Sequence, residues 1–332
     1  MQSIVPDNAT RLTVVGAPGI AERKPRWLKQ PVPLAGPNYR DIRQTMRGLD
    51  LHTVCEEAAC PNIHQCWEDR EATFLIGGED CTRRCGFCQI ATGKPKAYDR
   101  DEPRRVAEAV GAMGLNFAVV TGVARDDLPD GGAWLFAETL RQIRARIPSC
   151  GVELLIPDFR MSPDALRQVT DEAPEVLSHN LETVRRLFRH VRPAFTYDGT
   201  LRLLARARAA LPDGCATKSN LILGMGETEA EVYEAMRDLR DVGCQILTVG
   251  QYLQPTHRHL ALQRYVAPDE FERYARHGAE LGFDHVESGP LVRSSYRAGR
   301  QAQDAGVWTR PVHAAPDADG GDRRPTRQTA AV

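Results

Sequence analysis

The chain has no excess of either charge sign. Its 43 Lys and Arg balance 44 Asp and Glu, leaving a net charge of −1, so no global electrostatic pull toward nucleic acid exists. It has no run approaching 18 uninterrupted apolar residues, which argues against a membrane-spanning helix. Its first twenty residues carry Pro6, Asp7 and Pro18 in place of a basic stretch followed by an apolar core, so nothing there reads as a secretory leader. Nor does it have an even, dispersed set of cysteines. There are nine, and six of them fall between positions 55 and 88. An odd, clustered set argues against a secreted disulfide framework and for metal in a reducing compartment, here the cytoplasm. Apolar residues make up 42% of the 332, enough for a sizeable core. The length suits two domains, or one α/β barrel of about 200–250 residues with extensions.

The stretch Cys81-Thr82-Arg83-Arg84-Cys85-Gly86-Phe87-Cys88 spaces three cysteines as C-x₃-C-x₂-C, directly after the apolar run 73–78. Three thiolates in one short loop fit a cubane in which four cysteines would normally hold one iron each. The iron left without a protein ligand has an open position, as catalytic metal sites require. A zinc knuckle would want a fourth ligand close by, and the next histidine is His179. A second triple, Cys55, Cys60 and Cys66, has a different spacing, C-x₄-C-x₅-C, with His52 and His64 nearby. From these residues alone a Cys₃His zinc site and a second cluster read equally well.

From residue 73 strand and helix patterns alternate. Strands are expected at 73–77, 117–121, 152–156, 176–179, 219–223 and 246–250. Helical spacing recurs in Val106, Ala109, Val110 and Met113, and in Leu135, Thr139, Leu140 and Ile143. Ser162-Pro163 reads as an N-cap with proline in the first turn, Thr228-Glu229-Ala230-Glu231 as a capping box, and 39–50 as an earlier helix. Six β/α units in a row imply a parallel sheet with right-handed crossovers, curved into a partial (β/α)6 TIM-like barrel. The expected divisions are an extended arm over 1–40, a cysteine segment over 41–72, the barrel over 73–290, a closing segment over 291–310 and a disordered tail over 311–332. Ligands of such sheets bind at the carboxyl ends of the strands. The loops beginning near Thr121, Asn180, Gly224 and Gln251 are therefore site candidates. The arginine clusters (Arg185, Arg186, Arg189, Arg192; then Arg202, Arg206, Arg208) read as solvated helix faces.

With the aromatic Phe87 before its last cysteine, the Cys81–Cys88 loop resembles the radical S-adenosylmethionine (SAM) signature. The wider pattern resembles the lipoyl synthase family from about residue 25 to 300. The likeness rests on both triples, on His179-Asn180-Leu181-Glu182-Thr183, on Gly250-Gln251-Tyr252-Leu253-Gln254-Pro255, on Pro255-Thr256-His257-Arg258-His259 and on Arg293-Ser294-Ser295-Tyr296. The resemblance implies a radical SAM-type barrel whose extensions carry auxiliary cluster ligands, and insertion of two sulfur atoms at C6 and C8 of a protein-bound octanoyl-lysine. It implies two [4Fe-4S] clusters. One, on Cys81, Cys85 and Cys88, binds and cleaves SAM. The other, on Cys55, Cys60 and Cys66 with Ser295 (or Ser294) as fourth ligand, is the sulfur source.

By analogy of fold, Asn180 and Glu182 are expected to contact the ribose or amino acid of SAM. Thr121, Gly224 and Glu227 are expected nearer its methionine and adenine parts. Two departures stand out. Asn220 follows Lys218-Ser219 where the family usually has a small residue, and Gly122-Val123-Ala124 stands where many members have Ser-Val-Asn. Implied partners are octanoylated carrier domains of the 2-oxoacid dehydrogenase E2 or glycine cleavage H protein type, an electron donor such as ferredoxin or flavodoxin, and an iron–sulfur carrier. An acidic carrier would find the arginine clusters attractive. No nucleic acid or membrane partner is expected. An RNA methylthiotransferase is the nearest enzyme alternative and an iron–sulfur or zinc module the non-enzymatic one; the first would need a basic RNA-binding appendage that is not apparent.

Overall fold

A computed structural model describes residues 23–29, 36–95 and 98–310. Most of the expected arm and the whole of the tail 311–332 lie outside the described residues. Eight strands form one sheet in sequence order: β1 (His52–Thr53), β2 (Thr73–Ile76), β3 (Phe117–Gly122), β4 (Gly151–Leu155), β5 (Val176–Ser178), β6 (Ala216–Leu223), β7 (Ile246–Gln251) and β8 (His285–Gly289). The pair β1–β2 is antiparallel and every later pair is parallel. The first and last strands are not hydrogen-bonded neighbours, so the barrel stays open on one side.

All six expected strands are present, and β8 adds a seventh parallel one. Its sequence, His285-Val286-Glu287-Ser288-Gly289, hides it: His285 and Glu287 are polar and only partly covered, and the His285 ring lies 3.5 Å from both the Glu287 and the Asp304 carboxylates. An edge strand with one apolar side chain carries almost no period-2 signal.

Crossover helices cover the outside of the sheet: Glu102–Ala112, Ala133–Arg146, Pro163–Thr170, Tyr197–Ala210, Glu229–Asp241 and Pro268–Glu280. Their start signals work as the sequence suggests. Ser162 Oγ accepts from the Ala165 N–H at 3.3 Å. Thr228 and Glu231 form the reciprocal capping box, at 3.3 and 2.9 Å. The earlier helix runs Pro37–Gly48 and buries Ile42 and Met46. Apolar side chains such as Val110, Leu140, Val152 and Leu154 fill the layer between sheet and helices.

A separate cluster sits where several strands begin. Phe117, Val176, Ala216 and Ile246 meet Ala298 and Ala302 of the last helix, Ala298–Asp304, and Trp308 stacks edge-on to Phe117 at 5.8 Å. This plug closes the amino-terminal end of the barrel. The segment 290–297 leading to it runs across the open side, held by Asn62 Nδ2 donating to the Leu291 carbonyl at 2.7 Å. Gly250 permits its closest approach: a Cβ there would stand 2.2 Å from the Val292 carbonyl oxygen. Among the described residues no helix is long and apolar enough to cross a membrane.

Candidate active site

The cysteine loop leaves β2 and is pinned from three directions. Thr82 N–H donates to the Ala124 carbonyl (3.0 Å) beyond β3, Gly86 N–H to the Val191 carbonyl (2.9 Å), and Leu260 N–H to the Gly86 carbonyl (3.0 Å). Two backbone N–H groups, of Arg83 and Ala124, point at the Cys81 sulfur at 3.4 and 3.3 Å. Arg83 locks the loop to the barrel. Its guanidinium grips Asp126 through two bonds of 2.8 and 2.7 Å, pairs with Asp158 at 2.7 Å, and lies 4.3 Å from the Phe195 ring centre. Arg192 covers the other part of that ring at 3.8 Å and donates to the Asn180 carbonyl.

The second triple folds on two short helices. Thr53 caps Val54–Glu57, which carries Cys55. Ile63–Glu68 carries Cys66 and buries Trp67 completely, and Cys60 lies between them. Cys55, Cys60, Cys66 and Ser295 line a small cavity of about 40 Å³, and Ser295 Oγ lies 2.8 Å from Thr73 Oγ1. The two nearby histidines are engaged elsewhere. The His52 ring approaches Glu57 and Glu79 at 3.4 and 3.7 Å, and His64 stacks on Tyr39 at 4.9 Å. Neither lines this cavity.

A larger cavity of about 590 Å³ joins the two triples. Cys55 and Cys60 line one part, and Cys81, Cys85 and Cys88 another. All nine cysteines are free thiols. Burial pushes the Cys55 thiol up to about 11 and Cys88 up to about 12, and raises Cys66 and Cys85 as well. Thiols held this way ionise only against a cation, and metal supplies one. Free thiols gathered in this way, with N–H donors already aimed at the Cys81 sulfur, suit the chemistry of iron–sulfur ligation.

Between the triples the wall is made by strand ends. Thr121, Asn180 and Glu182 all line the cavity; Gly224 and Glu227 do not. Glu227 instead turns its carboxylate onto the N–H groups of Gly224 and Met225, at 2.6 and 3.0 Å. This closes the turn after β6, where Gly224 has φ +107°. Burial raises the Glu227 carboxyl above its ordinary range. Thr121 Oγ1 donates to the Leu155 carbonyl at 3.0 Å. Glu182 is buried, which raises its pKa, while Arg192 and the amides of Asn180 and Asn220 oppose that rise. Among the described residues the Asn180 side-chain oxygen has no hydrogen-bond partner.

Arg83, Arg192 and Phe195 were not among the expected site residues, yet all three line the cavity. Arg192 in particular is no solvated residue: it is buried, with an aromatic face to stack on and a carbonyl to bind. Its neighbours Arg185 and Arg186 are on the surface but already paired, the first with Asp198 and Asp238, the second with Glu231. The charge of these two is thus met from within, while Arg189, Arg202 and Arg206 are exposed.

Residues 75–239 match the Radical SAM superfamily, and residues 10–60 match the N-terminal domain of lipoyl synthase of that family. The lipoyl synthase of Frankia casuarinae is 62% identical over 284 residues, 86% of this chain and 84% of its own length. That of Mycolicibacterium gilvum is 60% identical over 300 residues, 90% of this chain and 93% of its own. Among solved structures, HydG, a maturase of the [FeFe]-hydrogenase, superposes with a TM-score of 0.50 at 13% identity, covering 81% of this chain and 75% of its own. SuiB of Streptococcus suis gives 0.52 at 10%, covering 68% and 51%. These two share the fold. The identity to the curated relatives, sustained over most of both chains, establishes that this chain belongs to the lipoyl synthase family of radical SAM enzymes.

Proposed function

We propose that the cavity between the two cysteine triples is where two sulfur atoms are inserted at C6 and C8 of an octanoyl-lysine carried by a lipoyl carrier protein. The observation that carries this reading is that Cys55 and Cys60 of one triple and all three cysteines of the other open onto one cavity of about 590 Å³. Cys81, Cys85 and Cys88 would hold a [4Fe-4S] cluster with one iron left for SAM. Cys55, Cys60 and Cys66 would hold a second, with Ser295 as its fourth ligand. Ser295 shares the small cavity with those three cysteines and Ser294 does not, which favours Ser295. An alkoxide is harder than a thiolate and a poorer match to a soft site, so it is the ligand most readily released. When bound, the clusters and SAM supply the electron, the hydrogen-abstracting radical and the sulfide, chemistry that no side chain provides at an unactivated methylene.

The chain's own residues bind, orient and shield. Beyond their mutual bond Asn180 and Glu182 keep acceptor oxygens, which suit the hydroxyl or ammonium donors of SAM, and Asn180 keeps one N–H. Thr121 stands on the adjoining wall. Gly224 and Glu227 support the site through the turn they close. Apolar side chains (Leu75, Leu155, Ile222 and Val292) line the same cavity and would hold an alkyl chain within reach of both clusters while excluding water. A donor of the ferredoxin or flavodoxin type would provide electrons. An iron–sulfur carrier would rebuild the sulfide-donating cluster, and reduced thiols suit the cytoplasm. Anaerobic incubation with SAM, a reductant and an octanoyl-lysine peptide tests the reading. Thiolated peptide together with 5′-deoxyadenosine is expected; 5′-deoxyadenosine with unaltered peptide would overturn it.

A further inference from the structure

Glu182 follows β5 in the left-handed region, at φ +71°, a conformation an ordinary residue keeps only when its surroundings impose it. Two backbone bonds impose it here: Glu182 N–H donates to the Asn220 carbonyl and Ile222 N–H to the Glu182 carbonyl, each at 2.8 Å. The side chain is fixed as tightly. Asn180 Nδ2 donates to Oε1 at 2.9 Å and Asn220 Nδ2 to Oε2 at 2.7 Å. Asn220 is itself oriented, because Thr248 Oγ1 donates to its Oδ1 at 2.7 Å. Asn220 and Thr248 are direct partners in the β6–β7 register.

An amide has donors at one end and an acceptor at the other. The Glu182 carboxylate only accepts, so it takes the Nδ2 end of Asn220 and leaves Oδ1 to the Thr248 hydroxyl, which lies farther, at 3.5 Å, from the Ser219 carbonyl. A flipped amide would set Oδ1 against Glu182 Oε2. The result is a hydrogen-bonded relay from β7 through β6 to Glu182.

We propose that Asn220, set by Thr248, is a positioning residue that holds the Glu182 carboxylate in register for SAM. The inference rests on the reading that Glu182 contacts SAM. Each carboxylate oxygen retains acceptor capacity beyond its amide bond, and Asn180 Oδ1 has no partner among the described residues. The relay thus aims a cluster of free acceptor sites rather than using them up.

The test uses anaerobically prepared holoenzyme and S-adenosylhomocysteine, which keeps the adenosine and amino-acid ends of SAM and gives no radical. Calorimetry measures its affinity, and 5′-deoxyadenosine formation gives kcat and KM for SAM. Asn220→Ala and Thr248→Val are each expected to weaken binding, roughly tenfold for the first and several-fold for the second, from loss of a charge-assisted bond or of its orientation. KM should rise in step, kcat should stay within about twofold, and iron per chain should match the wild type. Asn220→Asp, of the same shape, should bind worst because it sets a second carboxylate against Glu182; Thr248→Ser should bind as the wild type does. Wild-type affinity in both Asn220→Ala and Thr248→Val, with binding lost in Glu182→Gln, would overturn the relay and leave the Glu182 reading standing. Wild-type affinity in Glu182→Gln would overturn both.

Discussion

Replacing Lys218 with methionine should destabilise the barrel at its centre. Lys218 Nζ lies 2.8 Å from Glu153 Oε2, Ser178 Oγ donates to Glu153 Oε1 at 2.7 Å, and the two charged side chains are 0% and 1% exposed. At an effective dielectric of about 20, charges at this separation attract by roughly 6 kcal/mol. Taking both ions out of water costs several kcal/mol each, so the intact pair contributes little net stability. Removing one partner is different, because it strands the other charge in the interior at a cost of about 3–5 kcal/mol. That is a large part of the roughly 5–15 kcal/mol that holds an ordinary domain folded. For a chain of this size the melting temperature should fall by about 5–9 °C, measured anaerobically with clusters in place. The triple variant Glu153→Leu/Ser178→Ala/Lys218→Met removes the charges and the hydroxyl together and should return to within about 2 °C of the wild type. If Lys218→Met melted with the wild type, or the triple variant as low as Lys218→Met, the buried-charge reasoning would be wrong.

Gly250→Ala places a Cβ 2.2 Å from the Val292 carbonyl, so the segment bearing Ser295 must move away from β7. Iron analysis should then give about four irons per chain in place of about eight, the loss falling on the Cys55, Cys60 and Cys66 site. His179 Nδ1–H donates to the Ile156 carbonyl (2.8 Å), and burial next to Arg192 pushes its pKa down to about 3. Because the folded value lies below the unfolded one of about 6.5, its contribution is complete above that pH and is lost as the pH falls toward about 3. Between pH 6.5 and 5 the fold should lose about 2 kcal/mol from this group. Urea unfolding of His179→Gln holoprotein across that interval should show a shallower pH dependence; an unchanged slope would mean that His179 is not held neutral.

Both cysteine triples were legible in the sequence because their spacing is local: each loop contains its own ligands. The crossover helices were legible for the same reason, through caps such as Ser162 and Thr228. What could not be read depends on strands brought together from afar. Arg192 lies in a run of arginines and looks solvated until Phe195 and the Asn180 carbonyl are placed beside it. Arg83 lies inside the Cys81–Cys88 loop and Asp126 in the loop after β3, but nothing in the sequence joins them. The 224–227 turn looked like a ligand loop because glycine and glutamate suit both purposes. Its carboxylate proved to be engaged by backbone N–H groups. Asn220 was visible only as a departure from the family, and its bond to Glu182 required the β5–β6 pairing.

The most direct test of the central claim traces the sulfur. Holoenzyme assembled with ³⁴S-sulfide is freed of unbound sulfide and given SAM, reductant and octanoyl-lysine peptide under argon for one turnover, and the product is weighed by mass spectrometry. Two ³⁴S atoms per lipoyl group, with the Cys55, Cys60 and Cys66 site depleted of iron afterwards, is the predicted result. Unlabelled sulfur in the product, or labelled product from a Cys55→Ala/Cys60→Ala/Cys66→Ala variant, would contradict it.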